Sequence, residues 1–161
     1  MILVTVGGQM PFDRLVRAVD EWAGSRHRDD VFAQIGRTAL RPVHIQWTDF
    51  LPPAEMRARF DAASLIVAHA GTGSILMALE CCKRIIIMPR RSDLRETRHD
   101  HQIATAKGFS TFRNLAVALD AAELWAHLDN HESLTLDKPI SCSASPHLIR
   151  AILDFVNALP A

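Results

Sequence analysis

Lysine is scarce in this chain: only Lys83, Lys107 and Lys138 are lysines, and the other fifteen of its 18 basic residues are arginines. Asp and Glu also total 18, so the formal net charge is zero. No global field draws such a chain onto nucleic acid. Arginine's planar fork of donors suits phosphate and carboxylate oxygens, although genomic GC bias produces the same skew. Cysteine is scarce too. Cys81, Cys82 and Cys142 have neither the spacing of a zinc knuckle nor that of a redox Cys-x-x-Cys pair, and they read as small buried apolar residues in a reducing compartment. No apolar run approaches the roughly 20 residues that cross a bilayer. The start, MILVTVGGQM, has neither the basic region nor the cleavage pattern of an export signal, which makes the cytosol the expected location.

Two phosphate motifs are missing. There is no early Gly-x-Gly-x-x-Gly with an acidic ribose reader, and no Gly-Lys-Ser/Thr loop, which counts against an ATPase or kinase. Repeats, low-complexity tracts and an interdomain linker are absent as well. What remains is 161 residues with 48% hydrophobic content, enough for one domain, 1–161, with a sizeable core.

The order of elements is strand then helix, repeatedly. Ile2 to Val6 is a β-branched run stopped by Gly7-Gly8, and Pro11 opens a helix with Phe12, Leu15, Val16, Val19 and Ala23 on one face, closed by Gly24. Short strands are expected at Val31 to Ile35 and Val43 to Trp47, and a brief helix at Glu55 to Phe60. Leu65 to Ala68 reads as a buried strand ending at His69, with a helix from about Ser74. Arg84 to Met88 is another strand, stopped by Pro89. His101 to Lys107 suggests a helix ended by Gly108. Asp120 and Glu123 form a capping pair for a helix from Ala121 to Asp129. His131 to Ser145 reads as a loop, and Ser145-Pro146 starts a last helix, about 146–158, with Leu148, Ile149, Ile152, Leu153 and Val156 along an apolar stripe. That stripe packs on the domain or meets another chain. The fold class is α/β, a parallel sheet sandwiched by helices.

In an open parallel sheet, ligands sit beyond the carboxyl ends of the strands, where glycine turns feed helix amino termini. Three segments occupy that place. In His69-Ala70-Gly71-Thr72-Gly73-Ser74 the glycines let backbone N–H groups approach an anion, while Thr72 and Ser74 offer hydroxyls. Gly7-Gly8-Gln9 approaches from the neighbouring strand, and the Gln9 amide has both donors and an acceptor. Arg90 to Asp100, rich in mixed charge, reads as a mobile polar lid whose Arg90 and Arg91 forks suit phosphate, or as a solvated loop. Gln102 lies at a helix start, where its amide either addresses sugar hydroxyls or is an ordinary surface group. His69 either contacts ligand or hydrogen-bonds a loop carbonyl. His99-Asp100-His101 lacks further ligands at metal-binding spacing, so no metal is expected.

VTVGGQMPFDRL at residues 4–15, QIG at 34–36, HAGTGSI at 69–75 and MPRRSDLRETRHDHQIATA at 88–106 together resemble the glycosyltransferase family 28 carboxyl-terminal domain. They are more closely similar to the small catalytic subunits of bipartite bacterial exopolysaccharide glycosyltransferases, including the glucuronosyltransferase type, and to the dolichol-pathway N-acetylglucosaminyltransferase subunit. The resemblance implies a Rossmann-like domain, the donor-binding half of a GT-B glycosyltransferase, with UDP-sugar as donor substrate and no required cofactor. It places Gly7, Gly8 and Gln9 along the diphosphate, His69 to Ser74 at the phosphates, and His101 and Gln102 near the sugar. Arg90 and Arg91 are further candidates to steady the departing UDP, and His69 or His101 is a candidate general base unless a partner supplies it.

The implied reaction is inverting transfer of a hexose or hexuronic acid to a lipid-linked glycan acceptor in polysaccharide biosynthesis. The implied partner is a membrane-anchored acceptor-binding subunit that holds this chain at the cytoplasmic membrane. The alternative is a non-catalytic UDP-sugar or anion-binding module. Three departures stand out. Gly8 lacks the hydroxyl that relatives often carry, Met77 replaces a glutamate expected at the ribose, and Cys82-Lys83-Arg84 replaces a Gly-Lys-Pro turn.

Overall fold

A computed structural model describes residues 1–136, 139–140 and 143–158. Its elements are β1 Ile2–Thr5, α1 Asp13–Ser25, β2 Val31–Gln34, β3 Gln46–Thr48, α2 Pro53–Ala62, β4 Leu65–His69, α3 Thr72–Glu80, β5 Arg84–Met88, α4 His101–Phe109, β6 Leu115–Val117, α5 Ala121–Asp129 and α6 Pro146–Asn157, with a 3-10 turn at His131–Ser133. All strands pair in parallel in one six-stranded sheet, order β3-β2-β1-β4-β5-β6. Successive side chains of a strand point to opposite faces, and both faces are covered here. Ile2, Val4, Leu65, Val67, Ile86 and Met88 pack toward α1 and α5, where they meet Leu15, Val19, Trp22 and Leu124. Leu3, Ile66, Ala68, Ile85 and Ile87 pack on the other side against Phe60, Ile75, Leu79 and Ala106. This two-sided burial explains why the central strands read as unbroken apolar runs.

Several boundaries differ from the sequence expectation. The third strand begins at Gln46 and not at Val43, which is 80% exposed. The buried carboxylate of Asp20 accepts from the main-chain N–H of Val43 (3.1 Å) and His44 (2.8 Å), which holds that stretch as a turn. The strand β6 carries no sequence signal of its own. Only three residues long, it pairs at the sheet edge with Ile85 to Ile87. The helix α2 is a full ten residues, α1 runs one residue past Gly24, and α3 starts at Thr72.

Two helices end in the same way. After α1, His27 N–H bonds to Gly24 O and Arg28 N–H to Ala23 O; after α3, Cys82 N–H bonds to Leu79 O and Lys83 N–H to Ala78 O. These are Schellman closures, whose turning residue is usually glycine because it must be left-handed. His27 and Cys82 hold φ of 51° instead. The missing glycine of the Cys82-Lys83-Arg84 turn therefore leaves local strain of about 1 kcal/mol. Cys81 and Cys82 are half-buried beside this turn, which corrects their reading as core residues, and Cys142 lies outside the described residues. The apolar stripe of α6 is uncovered by the described residues, with Leu148, Ile149, Ile152, Leu153, Phe155 and Val156 all exposed.

Candidate functional site

The strand order reverses between β1 and β4, the position where open α/β sheets form a ligand crevice. Gly7-Gly8 leaves β1 there, and His69 to Gly71 leaves β4. The β1 turn is fixed from below. Thr5 Oγ1 donates to Gln34 Oε1 (2.8 Å) and accepts from Gly7 N (3.2 Å), while Gln34 Nε2 donates to Gly7 O (3.0 Å). With φ of 78°, Gly7 turns the chain in the left-handed region.

His69 is wedged between the two glycine turns. A Cβ on Gly7 would lie 2.7 Å from the imidazole Cε1, and a Cβ on Gly71 would lie 2.1 Å from Nε2. Neither position tolerates a side chain while the ring stays where it is. Burial pushes the His69 pKa down to about 4, the Arg90 charge adds to the shift, and the Thr5 main chain opposes it. The ring is therefore neutral at ordinary pH, and its buried Nδ1 has no hydrogen-bond partner. Among the described residues no carboxylate orients it. A ring with these properties is a weak base and is suited to hydrogen bonding in its neutral form.

The helix α3 presents its amino terminus between these turns. Its cap residue, Gly71, provides no side-chain hydrogen bond. The first helical bond runs from Ile75 N–H to Gly71 O, so the amides of Thr72, Gly73 and Ser74 lie ahead of the ladder. Unpaired N–H groups and the positive end of the helix dipole favour an anion here.

Two cavities flank that helix end and share Gly7, Gly8 and His69. One is an apolar slot of about 350 Å³ with Phe50, Leu51, Met56, Phe60 and Met77 in its wall and Gly73 and Ser74 at the start of α3. Its Thr5 and Gln34 side chains already bond each other, and Met77 brings no charge. The other is a polar chamber, also about 350 Å³, lined by Val6, Gln9, Met10, Gly71, Arg90, Thr97, His101 and Gln102 among others. Neither wall contains Asp or Glu. Gly8 would accept a Cβ without contact, so the missing hydroxyl there leaves open space.

The sequence-predicted residues are thus mostly brought together. Gly7, Gly8, Gln9, His69, Gly71, Gly73, Ser74, Arg90, His101 and Gln102 line the joined cavities. Ala70 is buried behind them, and Thr72 sits exposed on the first turn of α3, lining neither cavity. His101 is exposed, with Nδ1 3.1 Å from His99 O.

Two arginines differ from expectation. Arg91 pairs with Asp93 at 2.7 Å and lines a separate shallow cavity with Pro89 and Ile103, outside the chamber. Arg90 is only 3% exposed, and its guanidinium donates to the carbonyl oxygens of Val6, Met10 and Pro11, so it offers no open fork to a phosphate. The segment expected as a lid is tied to the body. Glu96 bonds Arg14 (2.7 Å) and the Arg91 main chain (3.0 Å), Asp100 accepts from Ser92 N (2.8 Å), and Arg14 also reaches Pro89 O and Leu119 O (2.9 Å each). Sequence reasoning passed over Arg14 and Glu96 because their contacts span 82 residues. It also passed over the slot residues Phe50, Leu51 and Met56, whose only signal is an apolar cluster around the Pro52-Pro53 helix start.

Residues 1–136 match the model of the glycosyltransferase family 28 C-terminal domain. The chain belongs to that family. A relative from Yarrowia lipolytica (strain CLIB 122 / E 150), the UDP-N-acetylglucosamine transferase subunit ALG13, is 27% identical over 136 residues, which cover 74% of this chain and 65% of the relative. The chain thus spans less than two thirds of that relative's length. The solution structure of ALG13 superposes with a TM-score of 0.61 at 20% identity, over 98% of this chain and 96% of that one. MurG of Acinetobacter baumannii gives a TM-score of 0.63 at 17% identity, over 98% of this chain but only 49% of its own. These structures share the fold, the Rossmann-like α/β arrangement of the carboxyl-terminal half of GT-B glycosyltransferases. Among the described residues no helix is long and apolar enough to cross a membrane, and no group of three or more His, Cys, Asp or Glu is placed to hold a metal ion.

Proposed function

We propose that the cleft binds a UDP-sugar and that this family 28 domain is the donor-binding half of an inverting glycosyltransferase, completed by a membrane-anchored, acceptor-binding subunit. The observation that carries the reading is the uncapped amino terminus of α3 standing between an apolar slot and a polar chamber. That order matches the chemistry of a nucleoside diphosphate sugar. Its base and ribose suit the slot walled by Phe50, Leu51, Met56 and Met77, its diphosphate suits the amides of Thr72, Gly73 and Ser74, and its sugar suits the amides of Gln9 and Gln102.

In the reaction, an acceptor hydroxyl attacks the anomeric carbon from the face opposite the diphosphate. The new C–O bond forms as the bond to the diphosphate oxygen breaks, and UDP leaves with the bonding pair. The α3 amides stabilise the charge that grows on the departing diphosphate, and the neutral His69 ring and Gln102 orient the sugar. The acceptor proton must go to a base. His69 is too weak and His101 has no orienting carboxylate, so the partner subunit supplies that group.

The donor sugar is a hexose or hexuronic acid, and the acceptor is a lipid-diphosphate-linked glycan in polysaccharide biosynthesis. Support for a second subunit comes from the apolar stripe of α6, uncovered by the described residues, and from a relative that is itself called a subunit. The partner would also hold the chain at the cytoplasmic membrane.

The test is transfer of labelled sugar from a UDP-sugar to a lipid-linked acceptor, with the chain alone, the partner alone and both together. Transfer only by the pair is expected. Full activity of the isolated chain would refute the divided site. A second reading, a UDP-sugar-binding module without transfer, is favoured by the low pKa of the His69 imidazole in the cleft; it predicts donor binding with no turnover in any of the three mixtures.

A further inference from the structure

Arg90 is the most deeply buried charged side chain of the cleft, and it faces no carboxylate at bonding distance. Its guanidinium is spent on main chain, donating to Val6 O (2.8 Å) and Met10 O (2.7 Å) through Nη2 and to Pro11 O through Nη1. Those three carbonyls bracket the Gly7-Gly8-Gln9 turn at both ends. The plane of Arg90 lies over the Phe12 ring with its Cζ 4.8 Å from the centroid, and Arg14 reaches the same ring at 5.2 Å. Phe12, 1% exposed, is thus a platform that fixes where the guanidinium can sit. At its main chain, Arg90 N–H donates to Gln102 Oε1 (3.1 Å), which fixes the amide of Gln102 in the chamber wall. One residue therefore connects the two walls of the polar chamber, the β1 turn and the start of α4.

Charge in such a place is costly. Burial lowers the Arg90 pKa, with Glu96 opposing, and a buried cation is retained only where several acceptors replace its water. Three carbonyl oxygens of one irregular turn provide that set, and only a planar fork spans them.

We propose that Arg90 is a positioning residue for the sugar end of the donor site, holding the Val6 to Pro11 turn and the Gln102 amide at the separation a sugar ring requires. This rests on the donor reading above. Val6, Met10 and Gln102 line the polar chamber and are absent from the wall of the apolar slot, so the effect falls on the sugar more than on the nucleotide.

The experiment titrates the full-length chain calorimetrically with UDP and with UDP-glucose, UDP-glucuronate and UDP-N-acetylglucosamine, in wild type, Arg90→Lys and Arg90→Met. Lysine keeps the charge and loses the fork. The expected result for Arg90→Lys is a fall of about tenfold or more in affinity for the preferred UDP-sugar, with UDP weakened by less than about threefold. The His69 ring proton resonance gives a second readout in the same samples. Its titration midpoint stays low in Arg90→Lys and rises in Arg90→Met, where the neighbouring positive charge is gone; an unmoved midpoint with a loss of about tenfold in UDP-sugar affinity in Arg90→Lys assigns that loss to the fork and not to the charge. Equal losses for UDP and UDP-sugar, or no loss for either in a folded Arg90→Lys, would overturn the proposal while leaving the donor reading intact. A wild type that binds neither UDP nor any UDP-sugar would overturn both.

Discussion

The contact between Gly71 and His69 gives the sharpest quantitative test of the site's geometry. In Gly71→Ala the new methyl would lie 2.1 Å from His69 Nε2, well inside the separation of touching heavy atoms. Backbone strain plays no part, because Gly71 has φ of −91°. The Gly7 turn crowds the same edge of the ring, where an added Cβ would lie 2.7 Å from Cε1. The turn or the ring must shift, and overpacking of this kind destabilises by about 1–3 kcal/mol. Removing the ring should remove the clash, so the cycle of Gly71→Ala, His69→Ala and the double variant should show a favourable coupling of about 1–2 kcal/mol. Urea denaturation followed by circular dichroism measures all four proteins. Gly73→Ala is the internal control: a Cβ there meets nothing within 4 Å, and alanine in the first turn of α3 should be neutral or stabilise by up to about 1 kcal/mol. Strict additivity in the cycle, or equal effects of Gly71→Ala and Gly73→Ala, would refute the wedge.

Three further outcomes follow from the same structure. The His69 pKa falls from 6.5 to about 4 on folding, so the unfolded chain binds the extra proton between those values; the associated stability is complete above about pH 6.5 and is lost toward pH 4, by up to about 3 kcal/mol, and the drop in urea midpoint from pH 7 to pH 4 should be smaller in His69→Gln. Arg14→Ala leaves Glu96, at 12% exposure, without its 2.7 Å partner and frees Pro89 O and Leu119 O, which should lower stability by about 2–3 kcal/mol in the same denaturation assay. Cys82→Gly relieves the left-handed φ of 51° and should raise the melting temperature by a few degrees, equivalent to about 0.5–1 kcal/mol; a lower melting temperature would show that the closure is unstrained.

Wherever a signal is local, the sequence announces it. Apolar runs stopped by glycine or proline gave the four inner strands, and the Asp120–Glu123 pair at the start of α5 forms as expected, with Asp120 accepting from Glu123 N (2.9 Å) and Glu123 from Leu119 N (2.8 Å). The edge strands are another matter. β6 has three residues and no punctuating glycine, and β3 is displaced because a carboxylate more than twenty residues upstream holds Val43 and His44 in a turn. In the site, the glycine turns were legible as turns, but the reason for Gly7 lies in the ring of His69, and this becomes visible only once β1 and β4 are neighbours. Arg90 illustrates the same limit. Arginine beside Arg91 in a polar stretch reads as a phosphate fork, whereas its acceptors lie on a turn about eighty residues earlier in the chain. Sequence proximity grouped Arg90 with Arg91; the fold separates them, one into the chamber wall and the other onto the surface.

The central claim is that the main-chain donors at the start of α3 hold a diphosphate. Amide chemical shifts of the isotope-labelled chain, followed during titration with UDP, test it at single-residue resolution. Saturable shifts of Thr72, Gly73 and Ser74 are expected, accompanied by Gly7 and Gly8, with Met77 reporting the nucleoside. Shifts confined to the opposite end of the sheet, around Arg26, Arg28 and Asp129, or no shifts at millimolar UDP, would contradict it.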